Sequence, residues 1–110
     1  MLDIQKKAME MARVGHLLAR RIKMQDTKLG NQLNAATTGL VLNLNEGIGR
    51  TRPKDKRFKY DIAFGECKES QSAAMLAVAC GYVQNADEFL ELADEVGAML
   101  YCFREALSRW

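Results

Sequence analysis

Apolar positions run along this chain in helical stripes. From Asp3 to about Gln25, apolar or small residues fall at Ile4, Ala8, Met11, Gly15, Leu18 and Ile22. That alternation of four and three is the seam of a helix packed nearly antiparallel against a neighbour. Ala12, Val14 and Leu17 widen the stripe, and Asp3 is the expected N-cap. A polar break at Gln25-Asp26-Thr27 predicts a second helix from about Lys28. One seam of that helix holds Leu29, Leu33, Ala36, Leu40, Asn43 and Gly47, and a second beside it holds Thr37, Val41, Leu44 and Ile48. A helix apolar on two sides is buried on two sides, which fits a bundle helix that also faces another subunit.

Gly47 and Gly49 are expected to close the second helix, and Thr51 to cap the third, with Pro53 just inside its first turn. The third helix is predicted from about Arg52 to Cys80. Its main seam reads Phe58, Ile62, Gly65, Glu69, Ser72, Leu76 and Ala79, beside a small-residue seam of Ala63, Cys67, Ser70, Ala74 and Ala77. Small residues let another helix approach closely. Gly81 reads as the residue after the helix C-cap, and Asn85 to Glu88 as a capping box with Asn in place of Ser or Thr. A fourth helix follows, with Phe89, Leu92, Val96, Met99, Phe103, Ala106 and Trp110 on its seam. Short connections place successive helices antiparallel. The expected fold is therefore all-α, an up-down-up-down antiparallel four-helix bundle filling residues 1–110 as a single domain.

A 110-residue chain buries a modest core, so partner subunits would help it. Its 48% hydrophobic content excludes disorder. Cys67, Cys80 and Cys102 are odd in number and far apart, and the single histidine, His16, cannot complete a zinc site with them. Thiols serving as small apolar residues in a reduced, cytoplasmic protein are the simplest account. No signal peptide is read at the N-terminus, and Ala73 to Val83, the longest nearly apolar run, is about half a membrane span. No membrane partner is expected.

Charge is unevenly placed. Residues 1–59 carry thirteen Lys and Arg against five Asp and Glu, and residues 60–110 carry three against nine. That suggests one face for a polyanion, or head-to-tail contact between copies, against a plainer pair of solvated faces of opposite sign. The basic half culminates between the second and third helices in Arg50, Arg52, Lys54, Lys56, Arg57 and Lys59, broken only by Asp55, with Phe58 and Tyr60 interleaved. Six cations at the positive end of a helix dipole would hold phosphates. Arg20, Arg21 and Lys23, at the end of the first helix, are a second candidate group, although antiparallel helices would set the two clusters at opposite poles. Phe58 is read as core, because it shares a seam with Ile62.

Glu46 and Glu69 lie on or beside apolar seams, where a carboxylate costs several kcal/mol unless paired. They could do acid–base or metal work. The preferred reading is a buried polar network with Asn43, and with Arg50 or Arg20, fixing helix register. Gly47-Ile48-Gly49-Arg50 follows a helix rather than a strand and lacks the remainder of a phosphate-loop motif, so it reads as a helix terminus. No nucleophile has an evident base, and no Glu-x-x-His pair is present for a di-iron centre, so no catalytic residue, metal or cofactor is expected.

Gln32-Leu33 with Ala35-Ala36, Asn43-x-x-Glu46-Gly47-x-Gly49-Arg50, Ala63-x-Gly65-x-x-x-Glu69 and Gly81-Tyr82 resemble a family of bacterial four-helix-bundle proteins. It includes the proteins encoded in intervening sequences of large-subunit ribosomal RNA genes and the accessory variability determinants of diversity-generating retroelements. The similarity covers most of the chain from about residue 28. Where the family pattern usually has Ser-x-Pro, this chain has Gly39-Leu40-Val41, and Asn45 stands where a small residue is usual. The resemblance implies a homopentamer with a positively charged surface or channel, and nucleic-acid binding without known catalysis. In the retroelement branch it also implies partnership with a reverse transcriptase and its template RNA. The matched positions Asn43, Glu46, Arg50 and Glu69 carry over as structural residues.

The expectation is an oligomeric, non-enzymatic protein that grips structured RNA or an RNA–DNA hybrid by its phosphates, possessing no base-reading motif. The rival is a protein–protein adaptor that docks a basic partner on the acidic fourth helix, through Asp87, Glu88, Glu91, Asp94 and Glu95. A third reading is an enzyme built on Glu46 and Glu69.

Overall fold

A computed structural model gives the structure of residues 1–108; Trp110, expected on the last helical seam, lies outside the described residues. The helices are α1 (Asp3–Lys23), α2 (Thr27–Gly49), α3 (Pro53–Ala79) and α4 (Asp87–Ala106). Each packs on two others: α1 on α2 and α4, and α3 on α2 and α4, so that α1 and α3 stand diagonally. The bundle measures 44 × 23 × 21 Å, about the length of its 27-residue third helix at the usual rise.

The helix ends follow from local chemistry. At α1 the cap is Leu2, not Asp3. The Gln5 side-chain oxygen accepts the Leu2 N–H at 2.8 Å, and Asp3 sits within the first turn, where a carboxylate still suits the dipole. Asp26 caps α2, accepting the Leu29 N–H at 2.9 Å. Thr51 does not cap α3: the N-cap is Arg52, held extended by Pro53 at the first helical position. Gly81, at φ 75°, closes α3 as expected. Tyr82 N–H donates to Ala77 O and Gly81 N–H to Val78 O, the paired bonds of a Schellman turn. The capping box at Asn85 is not formed; its side chain accepts the Asp87 N–H, and α4 starts from Ala86.

The α1 seam is buried at all six predicted positions. The two seams of α2 are buried or half-buried throughout. The third helix overturns the expectation. Its small-residue seam, with Tyr60, faces the core: Ala63, Cys67, Ser70, Ala74 and Ala77 are buried. The seam expected to lead instead faces outward, with Phe58 62% and Leu76 51% exposed and Glu69, Gly65, Ser72 and Ala79 on the surface. Burying the large seam would have buried the Glu69 charge as well, whereas the small seam lets α2 and α4 close in at no such cost. On α4, Phe89 and Val96 are core as expected, but Ala93, Gly97 and Leu100 replace the more peripheral Leu92, Met99, Phe103 and exposed Ala106. Only Cys67 acts as a buried apolar residue; Cys80 and Cys102 are exposed. Burial pushes the Cys67 thiol up to about 11, and it donates to Ala93 O at 3.4 Å.

Candidate nucleic-acid interface

The corner forms because α2 runs out at Gly49, Arg50 turns extended, and Pro53 restarts the helix three residues later. Gly47 is buried inside α2 with helical backbone rather than ending it. It is needed for space: a Cβ there would lie 2.7 Å from Tyr60 Cε1 and 3.0 Å from Lys59 Cβ. Tyr60 thus locks the start of α3 against the end of α2, and its ring meets Phe103 of α4 edge-on at 5.5 Å.

The six corner cations divide by role. Lys56 folds back and donates to Gly47 O at 3.2 Å and Ile48 O at 2.8 Å, capping the carbonyl end of α2. Lys59, only 19% exposed, pairs with Glu46 at 2.7 Å. Arg50, Arg52, Lys54 and Arg57 are exposed and form no ion pair among the described residues. They ring the positive end of the longest helix, where the opening turn also presents backbone N–H groups.

The second cluster does not join them. Gln5 Nε2 donates to Asn45 Oδ1 at 3.1 Å, so the start of α1 lies beside the end of α2. Arg20, Arg21 and Lys23 therefore sit at the far pole, about one helix length (~34 Å) away. Lys23 is half-buried and packs its stem over Gly30.

The expected network of Asn43, Glu46 and Glu69 is not assembled. Glu46 is a surface residue whose carboxyl the Lys59 ammonium, by hydrogen bond and charge, holds below the usual carboxylate range. Glu69 is exposed as well. Asn43 instead donates to Glu66 Oε1 at 2.9 Å and to Gly39 O at 3.0 Å. Burial raises the Glu66 pKa, opposed by the Asn43 bond and reinforced by nearby Glu69. The sequence signal for this site was Gly39, one turn before Asn43, whose missing side chain leaves room for the Glu66 carboxylate. A second group also escaped notice: Arg104 of α4 lies 4.5 Å over Phe64 and 5.4 Å over Tyr101, and pairs with Asp61 at 3.3 Å. His16 is half-buried on α1, with Nε2 3.1 Å from Thr38 Oγ1.

No cluster of three metal-ligating side chains occurs among the described residues, and no described helix is long and apolar enough to cross a membrane. The surface hollows are shallow and lie between helix pairs. One of about 320 Å³, lined by Lys56, Tyr60, Cys102, Phe103, Ala106 and Leu107, opens beside the corner.

No curated protein matches the chain in sequence. Among solved structures it is similar to a protein of unknown function from the S23 ribosomal protein family of Bacteroides thetaiotaomicron. The TM-score is 0.85 at 17% identity, covering 92% of this chain and 97% of that one. That likeness shows the fold alone. The family model described as 23S rRNA-intervening sequence protein matches residues 1–102, nearly the whole sequence, and the chain accordingly belongs to that family.

Proposed function

We propose that the chain is a self-associating, non-enzymatic protein that binds structured RNA or an RNA–DNA hybrid through backbone phosphates at the corner between α2 and α3. The observation that carries this reading is the set of four cations, Arg50, Arg52, Lys54 and Arg57, gathered at a helix start and unpaired among the described residues. Recognition is by shape and charge, since backbone contacts position a nucleic acid without reading its bases. The cytoplasm is the proposed location. A homopentamer is the proposed assembly, supported by the outward apolar seam of α3, which a lone bundle leaves wet. Service to a retroelement reverse transcriptase is one setting in which such a phosphate grip would act.

Fluorescence anisotropy with a structured RNA, titrated across salt, tests the binding. Four phosphate contacts give a slope of log affinity against log salt of about −4 for duplex, at ~0.9 per contact. Reversing Arg50, Arg52, Lys54 and Arg57 to Glu should abolish that slope and the binding. Weak, flat binding that the variant leaves unchanged would sink the reading.

An adaptor reading has one observation of its own. The outer face of α4 exposes Asp87, Glu88, Glu91, Asp94 and Glu95, of which, among the described residues, only Glu95 pairs with a cation, Lys7. In that case partner binding survives reversal of the corner and is lost on reversing Glu88 and Glu91 to Lys.

A further inference from the structure

Two outward stripes of this bundle match each other in phase, length and charge. On α3 the stripe is Phe58, Ile62, Gly65, Glu69, Ser72 and Leu76, spaced four and three, and every member but half-buried Ile62 is exposed. On α1 a second stripe runs through Leu2, Lys6, Met9, Arg13, His16 and Arg20 at the same spacing, and every member but half-buried His16 is exposed. Each covers nineteen residues from first to last, eighteen steps or about 27 Å at the helical rise. Alternating spacing of four and three is what one helix needs to pack along another. Both stripes lie away from the buried seams and only border α2 at one edge, His16 against Thr38 on one and Glu69 and Leu76 beside Leu29 and Gln32 on the other, so that their outer sides stay open among the described residues.

Their chemistry is complementary. The α1 stripe carries Lys6, Arg13 and Arg20; among the described residues only Arg13 is paired, with neighbouring Glu10 at 2.6 Å. The α3 stripe carries Glu69 and no cation, and half-buried Glu66 stands beside it, its one hydrogen bond among the described residues coming from Asn43. Apolar residues flank the charges on both, with Leu2 and Met9 on one side and Phe58, Ile62 and Leu76 on the other. A carboxylate set in an apolar, unpartnered stripe calls for a surface that brings both a cation and apolar cover.

We infer that the α3 stripe of one copy docks on the α1 stripe of a second copy, with Glu69 and Glu66 receiving Arg13 and Arg20. The inference rests on the self-association proposed above and names its surfaces. The contact is heterologous: each copy offers α3 to one neighbour and α1 to another. Since α1 and α3 stand diagonally with α2 between them, both contacts can be made at once.

Charge-swapped chains test this by sedimentation and native mass spectrometry, with circular dichroism reporting folding. One chain carries Glu69→Arg and Ser72→Arg, which makes both stripes basic. The other carries Arg13→Glu and Arg20→Glu, which removes the α1 stripe's cationic excess. All four positions are solvent-exposed, so both bundles should fold. Each variant alone should raise the apparent dissociation constant about a hundredfold, as like charges face each other. Mixing the two should restore association well above that of either variant alone, in oligomers that hold both chains, because every contact between unlike chains is again of opposite sign; a five-membered ring cannot alternate throughout, so one of its contacts stays mismatched. Variants that associate like the natural chain, or a mixture that stays dissociated, would overturn the pairing while leaving self-association standing. A natural chain that remains monomeric at every concentration would overturn both.

Discussion

Glu66 shows how one missing side chain sets a site. Gly39 is a poor helix former, yet it occupies the middle of α2, because a Cβ there collides with the Glu66 carboxylate. The carboxylate gains the Asn43 bond but loses water, and burial raises its pKa. Because its folded pKa lies above its unfolded value, the ionised carboxylate costs stability at neutral pH, and that cost fades as pH falls through the raised value. Glu66→Gln keeps an oxygen for Asn43 and removes the charge. The expected result is a higher melting temperature than the natural chain at pH 7, with the gap closing as pH is lowered. A gap that widened with acid would contradict the assignment. Gly39→Ala should destabilise by about 1–3 kcal/mol through overpacking. In a Glu66→Ala background the same change should become neutral or stabilising, since only the helix propensity gain remains. Chemical denaturation of the four chains in a double-mutant cycle reads this directly.

At the scale of the element, the corner separates cations that build it from cations left over. Lys56 neutralises the carbonyl end of α2 while belonging to α3, so it ties the two helices across the turn. Lys56→Met should cost about 1–2 kcal/mol in denaturant unfolding, as a charge-assisted cap is lost. It should leave the salt slope of RNA binding unchanged, because that ammonium already serves two carbonyls. Nothing in the run of six basic residues distinguishes Lys56 and Lys59 from their neighbours; their roles depend on which turn of α3 faces α2. The same dependence explains the misplaced seam. α1 has a single apolar stripe, so all six positions of its seam were legible, although Leu17, read as widening that stripe, is exposed. α3 has two stripes of equal period, and periodicity cannot choose between them. Glu69 in the larger stripe was the physical signal: read as a carboxylate to be buried in a network, it marks instead the face that stays outside. Cap positions shifted by a residue for a related reason, since Pro53 fixes Arg52 as extended whatever hydroxyl precedes it.

Across the whole molecule, the fold class and antiparallel order were legible because short turns and stripe periods suffice for them, while the paired and unpaired charges emerged only once the helices were set side by side. The long axis decides how the basic half works. Arg50, Arg52, Lys54 and Arg57 crowd one pole, and Arg20 and Arg21 stand exposed at the other, about 34 Å away along α2. At physiological salt the Debye length is roughly 8 Å, so the poles act on a ligand independently. An RNA helix held at the corner therefore releases counterions only there. Reversing Arg20 and Arg21 to Glu should leave the corner's salt slope intact, whereas reversing the corner should remove about four contacts. Measured on the isolated protomer, equal losses from both reversals would mean that one RNA spans the bundle from pole to pole. In the assembled protein the comparison gains a second use, because Arg20 also lies on the α1 stripe. A chain carrying Arg21→Glu alone keeps that stripe whole, so any change it makes in RNA binding belongs to the far pole itself. No change from Arg21→Glu, beside a lost slope from the corner reversal, is the outcome expected of a single-pole phosphate grip.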